Sequence, residues 1–460
     1  MKNRDVYMLP FSYPLVSSYF HHGHLHGILN HAHDQTLPWI YCNYINLSIP
    51  KIFNRYLLDF CIPHNNVWML WEECPFIYNQ IIDRNIIESG WCSVREFLMD
   101  CINNNNYVCI FLNQYYISSS HHYKKKYKKH PLLIIGYNNI EGNFIVADNM
   151  STGKYKIVTV KYDELELAYQ SVIEVSNYSE YEGVRLLSLK KANYVLDLNR
   201  ITNQLNHYLY PAQNIHGDII NTKRYAVGID IYDYLTDYVK AISNPRIRID
   251  IRPFHVLKEH KKMMQMRIEY LTEKKCMDVH EGRATALENV LRNTEILINI
   301  ILKYKVTRES ALIERAVDLL STIKAVEIHT LRDYIENVNS KKTEKNTDFN
   351  NFKITGTTTD KIIICDIPTP GCYNFFAEVD RGPDYGIFSF YSKSGFFINN
   401  EHLKQYDLYS DTTSSSKLHL ATIQFDITGD KEFKFELIGK NNKSAGDRVT
   451  IHSLYIEKVY

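Results

Sequence analysis

Two neighbouring stretches of the sequence bring together residue types that can perform acid–base chemistry. His130 stands at the start of an apolar run, and Asp148 and Asn149 end the next one, with Gly136 near the turn between them. A histidine held against a carboxylate or amide keeps one tautomer and can take a proton from a nucleophile. The pattern predicts that His130 is a general base and that Asp148, or Asn149, orients its ring.

The elements that would position these residues can be read from the flanking sequence. Residues 93–102 have apolar positions at helical spacing after a serine that can cap the helix, and the asparagines at 103–106 end it. Residues 107–112, 130–135, 143–147 and 154–160 have the length and composition of strands, and a helix begins near 163. His130 and Asp148 would therefore lie on neighbouring strands.

This order of elements resembles the papain-like core of bacteriocin-processing, double-glycine peptidases. The motif comprises the helix at 93–102, the strand at 107–112, His130 with the apolar run and glycine after it, and the run that ends in Asp148. Residues 1–335 as a whole resemble the butirosin biosynthesis protein H group of antibiotic and peptide gene clusters. The resemblance implies thiol-dependent acyl transfer from an acyl or peptidyl carrier protein to an amine, with a cysteine peptidase or amidase as an alternative.

The nucleophile that this resemblance implies has more than one candidate. Cys42 lies well upstream of His130, as the family pattern requires, and Gln35 precedes it where papain-like enzymes keep an oxyanion-hole glutamine. The sequence after Cys42 is nevertheless typical of extended chain. Cys92 directly precedes a good helix, whose N-terminus would lower the pKa of a thiol. A third alternative is a non-catalytic, papain-like scaffold or binding protein with no nucleophile.

A cluster of histidines between residues 21 and 33 stands beside Asp34. Imidazoles at this spacing, together with a carboxylate, could bind a divalent metal. The sequence contains neither a cysteine nor a Glu-x-x-His helix here to support a known metal pattern. We therefore predict no metal and no cofactor, and interpret these histidines as the polar lining of a loop or pocket mouth near the substrate.

The lysines at 124–129 predict a solvated loop before the strand that carries His130. An alternative is that they dock an acidic carrier protein or its phosphate, because lysine binds phosphate as a point charge.

The rest of the chain divides into three parts. Residues 181–338 are mostly helical, with long apolar stripes from 257 onward that could also serve for homodimerisation. Residues 339–352 are charged and non-periodic, which is typical of a linker. Residues 353–460 alternate short apolar segments with turns, which predicts an all-β sandwich. With the papain-like α+β domain at 1–180, this completes the predicted architecture.

The turn motifs of this last part, 381–387, 406–409 and 433–446, resemble a jelly-roll, carbohydrate-binding-like module appended to glycoside hydrolases. Residues 392–395 and His452 depart from the pattern of that module. We expect a structural or substrate-presenting role for it ahead of sugar binding.

Composition narrows the function classes. The 460 residues carry a net charge of +1, which gives no field for nucleic acid or an acidic membrane surface. No apolar run reaches the ~20 residues of a membrane span, and the N-terminus lacks the apolar core of a secretory signal. Nine scattered cysteines without CxxC pairs suit a reducing compartment. We therefore expect a cytoplasmic bacterial protein that acts on a small molecule or peptide.

Overall fold

The structure is a computed structural model that describes residues 4–51, 57–61, 69–150, 153–172, 183–192, 194, 196–211, 224–274, 276–277, 281–347, 352–354, 360–367, 369–392, 395–397 and 404–459. Within these residues the chain is a mixed α/β protein with eleven α-helices and several antiparallel sheets. It divides into two compact units, Met1–Tyr194 with Arg200–Tyr334, and Val195–Asn199 with Ile335–Tyr460. The predicted boundary between residues 180 and 181 lies outside the described residues.

The strands of the first unit form two antiparallel sheets. They are β1 (Val6–Met8), β2 (Asn46–Pro50), β3 (Asp59–Cys61), β4 (Ile77–Ile82), β5 (Tyr107–Asn113), β6 (Lys129–Asn138), β7 (Asn143–Asn149), β8 (Tyr155–Lys161), β9 (Val184–Leu189) and β10 (Tyr225–Val227). The large sheet has the order β4-β9-β5-β6-β7-β8, with β1 on the second half of β6, and the small sheet has the order β10-β2-β3. The four strands predicted around His130 and Asp148 are confirmed as β5 to β8.

The described part of the chain contains eleven α-helices, and the first begins at Phe20. They are α1 (Phe20–Leu29), α2 (His33–Asn43), α3 (Met69–Glu73), α4 (Arg84–Gly90), α5 (Val94–Asn103), α6 (Tyr162–Gln170), α7 (Leu198–Leu209), α8 (Ile231–Ala241), α9 (Arg252–Glu273), α10 (Glu281–Thr307) and α11 (Ala311–Thr347). The helices predicted at 93–102 and in the region after 181 are confirmed. Ser93 caps α5 as expected, because its side chain accepts a hydrogen bond from the backbone N–H of Glu96.

The histidine-rich segment is helical, which corrects the prediction of a loop or pocket mouth. Helix α1 is buried along nearly its whole length and packs on β6 and β7. A Cβ atom at Gly23 would lie 2.4 Å from the ring of Tyr155, and one at Gly27 would lie 2.0 Å from the ring of Phe11. Two glycines weaken the local preference for a helix. Their lack of side chains instead lets α1 approach its neighbours closely, so tertiary packing decides the conformation.

A buried ion pair ties the helices of the first unit together. Lys261 Nζ on α9 lies 2.5 Å from Glu327 Oε1 on α11, and both side chains are about 1% exposed. Tyr208 and Tyr232 donate hydrogen bonds to the other carboxylate oxygen of Glu327 at 3.0 and 2.8 Å. His260 completes the network, with Nδ1 3.0 Å from the Lys261 ammonium group and Nε2 2.7 Å from the carbonyl oxygen of Ile45. Every charge is therefore compensated, as burial requires.

Helix α11 extends into the segment predicted as a linker. It ends at Thr347, so residues 339–347 of the predicted linker are helical. Residues 341–347 contain no glycine or proline, and lysine and glutamate have high helix propensity, so the helix continues. Residues 348–351 of the predicted linker lie outside the described residues.

The second unit consists mainly of antiparallel strands. They are β11 (Phe352–Ile354), β12 (Asp360–Ile367), β13 (Gly371–Arg381), β14 (Gly386–Ser392), β15 (Phe396–Phe397), β16 (Gln405–Asp407), β17 (Ser414–Phe425), β18 (Gly429–Lys440) and β19 (Val449–Val459). One sheet has the order β11-β19-β13-β17-β15 and the other β12-β18-β14-β16. Buried residues of both sheets form one hydrophobic cluster, in which the rings of Phe375 and Phe433 lie 4.7 Å apart. The predicted β region at the end of the chain is confirmed.

None of the helices in the described part of the chain combines the length and the apolar character that crossing a membrane would require.

The buried ion pair gives a test of this packing. We expect Glu327→Gln to lower the free energy of unfolding by about 3–5 kcal/mol, because it leaves the Lys261 ammonium group buried without a counter-charge. The matched control is Asp233→Asn, which removes the largely exposed partner of Lys324 and should cost about 0–1 kcal/mol. Urea denaturation followed by circular dichroism measures both. Equal losses in the two variants would contradict this account.

Candidate functional site

The strand register brings His130 and Asp148 together. His130 lies in β6 opposite Leu112 of β5, and Leu133 of β6 lies opposite Ala147 of β7. Continuing this antiparallel register by one residue puts Asp148 beside residue 132, on the same face of β6 as His130. Residues on one face of neighbouring strands are within side-chain reach of each other. The predicted pair is therefore formed.

The hydrogen-bond acceptors around His130 determine its tautomer. Nδ1 of His130 lies 3.1 Å from Oδ2 of Asp148 and 2.9 Å from the carbonyl oxygen of Pro131. Both partners are acceptors, so Nδ1 carries the proton and the lone pair is on Nε2. The His130 side chain is 24% exposed, whereas Asp148 is completely buried. This is the orientation that a general base requires.

A chain of side chains behind Asp148 was not found from the sequence. The amide nitrogen Nε2 of Gln114 lies 3.4 Å from Asp148 Oδ2, and the Ser120 hydroxyl donates to Gln114 Oε1 at 3.1 Å. The sequence signal that could have identified Gln114 is its position directly after β5, the strand that pairs with the His130 end of β6. Gln114 and Ser120 thus act as positioning residues for the carboxylate.

Asn149, the alternative orienting group, points elsewhere. Its side-chain amide donates to the carbonyl oxygen of Ser17 at 3.0 Å. Consecutive strand residues point to opposite faces, so Asp148 and Asn149 cannot both face His130. Of the two predicted alternatives, the structure places Asp148 at the imidazole.

The pKa of His130 is raised above its ordinary value. Burial favours the neutral imidazole, but the negative charge of Asp148, its hydrogen bond and the Pro131 carbonyl outweigh that influence, while Lys128 opposes them weakly. A raised pKa makes Nε2 a stronger base, although the neutral form is then populated at higher pH than for an ordinary histidine.

The helix that meets His130 is α1. The ring of Phe20, the first residue of α1, lies 5.6 Å from the His130 ring. The chain just before α1 is held by Glu259 of α9, which accepts hydrogen bonds from the backbone N–H groups of Ser17 and Ser18. Residues 17–24 contain no cysteine. The first residue of α1 therefore contacts the candidate base through its aromatic side chain.

The structure places the predicted nucleophiles elsewhere. Cys42 lies on α2 and is completely buried, where the Arg267 guanidinium donates to the carbonyl oxygens of Tyr41 and Tyr44 on either side of it. Gln35 is exposed near the start of α2. Cys92 is exposed before α5, and its backbone N–H donates to Glu96. The Cys42 thiol is completely buried in this conformation, so a role as nucleophile would require it to become exposed first.

Four buried histidines line α1. His24 Nδ1 lies 2.7 Å from the Tyr155 hydroxyl, and burial lowers the pKa of His24 to about 3. His26 packs edge-on against the ring of Tyr44, 4.5 Å away. His21 and His22 both approach the carboxylate of Asp59 on β3, and this trio could hold a metal ion. The sequence indicated a histidine cluster but not its partner Asp59.

A basic cavity of about 760 Å³ lies in the same unit. Its lining includes Lys126, Lys128, Arg246, Arg248, Arg252 and Lys305, with Asp250 paired to Arg252. The Arg252 guanidinium lies 5.9 Å from the ring of Tyr19, the residue before α1, and Lys128 is close enough to influence the pKa of His130. The cavity therefore approaches the candidate base from the side of the predicted lysine loop.

Comparisons with known proteins assign no family. No known family and no curated protein matches the chain. Among solved structures, xanthan lyase of Paenibacillus matches 24% of this chain at 14% identity with a TM-score of 0.19, and the match covers 12% of the xanthan lyase chain. So low a TM-score carries no argument about fold or function.

The His130–Asp148 pair predicts a measurable titration shift. We expect Asp148→Asn to lower the pKa of His130, because burial then acts without the opposing carboxylate. A histidine whose pKa is raised by folding adds stability that is complete below about pH 6.5 and is lost as the pH rises through the folded-state pKa. Asp148→Asn should therefore cost more stability near pH 6 than near pH 8.

NMR titration of the His130 ring in wild type and variant measures the shift. Neutralising an exposed carboxylate, as in Asp163→Asn, is the control and should leave the His130 pKa unchanged. A His130 pKa that is unchanged or raised in Asp148→Asn would contradict the assigned role of the carboxylate.

Proposed function

We propose that the chain transfers or hydrolyses acyl groups, with His130 as the general base and Asp148 as the group that orients it. The observation that carries this proposal is the 3.1 Å contact between His130 Nδ1 and Asp148 Oδ2, which leaves Nε2 as the proton acceptor. Nε2 would take a proton from the attacking amine or water and return it to the leaving group. No cofactor enters this reaction.

The start of α1 supports the same reaction. Amide groups in the first turn of a helix carry partial positive charge and have no partner inside the helix. The contact between Phe20 and His130 places this end of α1 next to the base. A carbonyl oxygen bound there would gain stabilisation as negative charge develops on it.

We favour direct attack by the acceptor over an acyl-cysteine intermediate. The thiol-dependent route that the sequence predicts would require Cys42 to leave a completely buried position. The arrangement of a buried helix, whose first turn faces a histidine–carboxylate pair on antiparallel strands, agrees with a papain-like domain. We include that fold in the proposal, together with a jelly-roll arrangement for the second unit in a structural or substrate-presenting role.

The basic cavity supports an anionic substrate. Its charged lining residues are several cations and a single carboxylate, Asp250, which is already paired with Arg252. Such a surface would attract the phosphate of a carrier-bound substrate or an acidic carrier protein. An acyl or peptidyl carrier protein is thus the proposed partner.

A second candidate function is a non-catalytic binding protein that uses the same cleft. The side chain of Phe20 packs against the imidazole at the end of α1, where a thiol enzyme of this kind would present its nucleophile. This observation favours recognition of a ligand without chemistry.

Assays with acyl-pantetheine thioesters as substrates, run with and without amine acceptors, distinguish an acyl-transfer or hydrolysis enzyme from a non-catalytic binding protein. We expect His130→Ala to lower the rate of thiol release by about 10²-fold or more, because general-base catalysis contributes that much. Cys42→Ala should retain activity, and His31→Ala, at an exposed histidine on the chain that joins α1 to α2, is the control.

Release of thiol is followed with a chromogenic disulfide, and circular dichroism confirms folding of each variant. If Cys42→Ala abolished turnover, the direct-attack route would be wrong and the acyl-cysteine route would replace it. If the wild type bound the thioesters but turned them over no faster than His130→Ala, the chain would be a binding protein.

A further inference from the structure

We propose that His21, His22 and Asp59 form a binding site for a divalent first-row transition-metal ion such as Zn²⁺. The two histidines occupy the first turn of α1, and the aspartate lies on β3 of the small sheet. Nε2 of His21 lies 3.2 Å from Oδ2 of Asp59, and Nε2 of His22 lies 2.9 Å from Oδ1. One potential ligand atom from each of the three residues lies within 4.8 Å of the other two.

These separations are close to those of a metal centre. A tetrahedral Zn²⁺ ion with bonds of about 2.0–2.1 Å holds its ligand atoms about 3.3–3.4 Å apart. The nitrogen–oxygen distances found here are shorter by a few tenths of an ångström. Binding of an ion would therefore require the three side chains to rotate so that both nitrogens and one Asp59 oxygen reach this spacing.

The donor types suit such an ion. Imidazole nitrogen and carboxylate oxygen are ligands of Zn²⁺ and of other divalent first-row metals. His21 and His22 are buried, 5% and 2% exposed, and each ring has its Nε2 directed at the Asp59 carboxylate. Asp59 adds the negative charge that offsets both the ion and the partial positive charge at the start of α1.

Groups around the three residues hold them in place. His22 Nδ1 lies 3.1 Å from the Tyr44 hydroxyl, so with a metal on Nε2 the ring would donate its remaining proton to that oxygen. The backbone N–H of Phe60 donates to Asp59 Oδ1 at 2.8 Å, and the Tyr19 ring stacks on His21. Outer contacts of this kind orient metal ligands and raise their affinity.

The site has an open side. The Asp59 side chain is 30% exposed, so an ion bound there would reach solvent and could keep water as its fourth ligand. Three protein ligands with one open position are typical of catalytic zinc sites, in which the bound water is more acidic than bulk water. Because the proposal depends on these side chains alone, it does not require the acyl-transfer chemistry of His130.

Binding of Zn²⁺ and Co²⁺ to the full chain tests the proposal. After removal of metal with a chelator, we expect the wild type to bind about one equivalent of Zn²⁺ in equilibrium dialysis with metal analysis. His22→Gln and Asp59→Asn should each weaken binding at least about tenfold, as loss of a ligand costs no less than loss of an outer partner. The control variant His31→Gln, which replaces an exposed histidine next to α2, should bind Zn²⁺ as the wild type does.

Circular dichroism establishes whether each variant is folded. Should a buried variant fail to fold, the visible spectrum of Co²⁺ bound to the wild type still decides, because coordination by nitrogen and oxygen in a tetrahedral site gives intense bands that hydrated Co²⁺ lacks. Weak, non-stoichiometric binding by the wild type, or equal affinity in folded Asp59→Asn and wild type, would overturn the proposal. In that case the trio is a hydrogen-bonded cluster that fixes β3 to α1.

Discussion

The close contact between α1 and the large sheet brings the first turn of this helix to His130. It depends on Gly23 and Gly27, where a methyl group would overlap the rings of Tyr155 and Phe11. Because the helix lies so near β6 and β7, its first residue reaches the imidazole of His130 and its histidines reach Tyr155 and Asp59. The aromatic neighbour of the candidate base and two of the three candidate metal ligands therefore share one packing constraint, since Phe20, His21 and His22 all lie in the first turn of α1.

The parts of this structure that the sequence predicts are those with a strong local signal. Strands β5 to β7 contain compact apolar runs of strand length, and α5 has both a serine cap and helical spacing. Consecutive residues of β7 point to opposite faces, so the strand brings Asp148 and not Asn149 to His130. The pattern of residue types alone leaves this choice open. Helix α1 has no such signal, because its glycines and histidines have low helix propensity. It forms a helix because it packs against residues that are distant in sequence.

Separation along the sequence was a poor guide to which residues lie close together in the folded chain. Cys42 has a suitable separation from His130 in sequence, yet α2 buries its thiol beside the Arg267 contacts with α9. Gln114 and Asp59 lie far in sequence from the residues they serve, and only the pairing of strands and helices brings them close. Polar groups inside a protein need partners. In this molecule those partners come from elements that no short motif connects.

The buried histidines also limit the conditions under which the chain remains folded. His26 and His260 are completely buried, and burial holds the pKa of each well below its ordinary value. In the unfolded chain both rings would take up protons below about pH 6.5, whereas the folded chain keeps them neutral. At acid pH this difference favours unfolding at each of the two histidines. The interior of the first unit therefore contains groups whose burial makes the folded chain less stable as the pH falls below about 6.5.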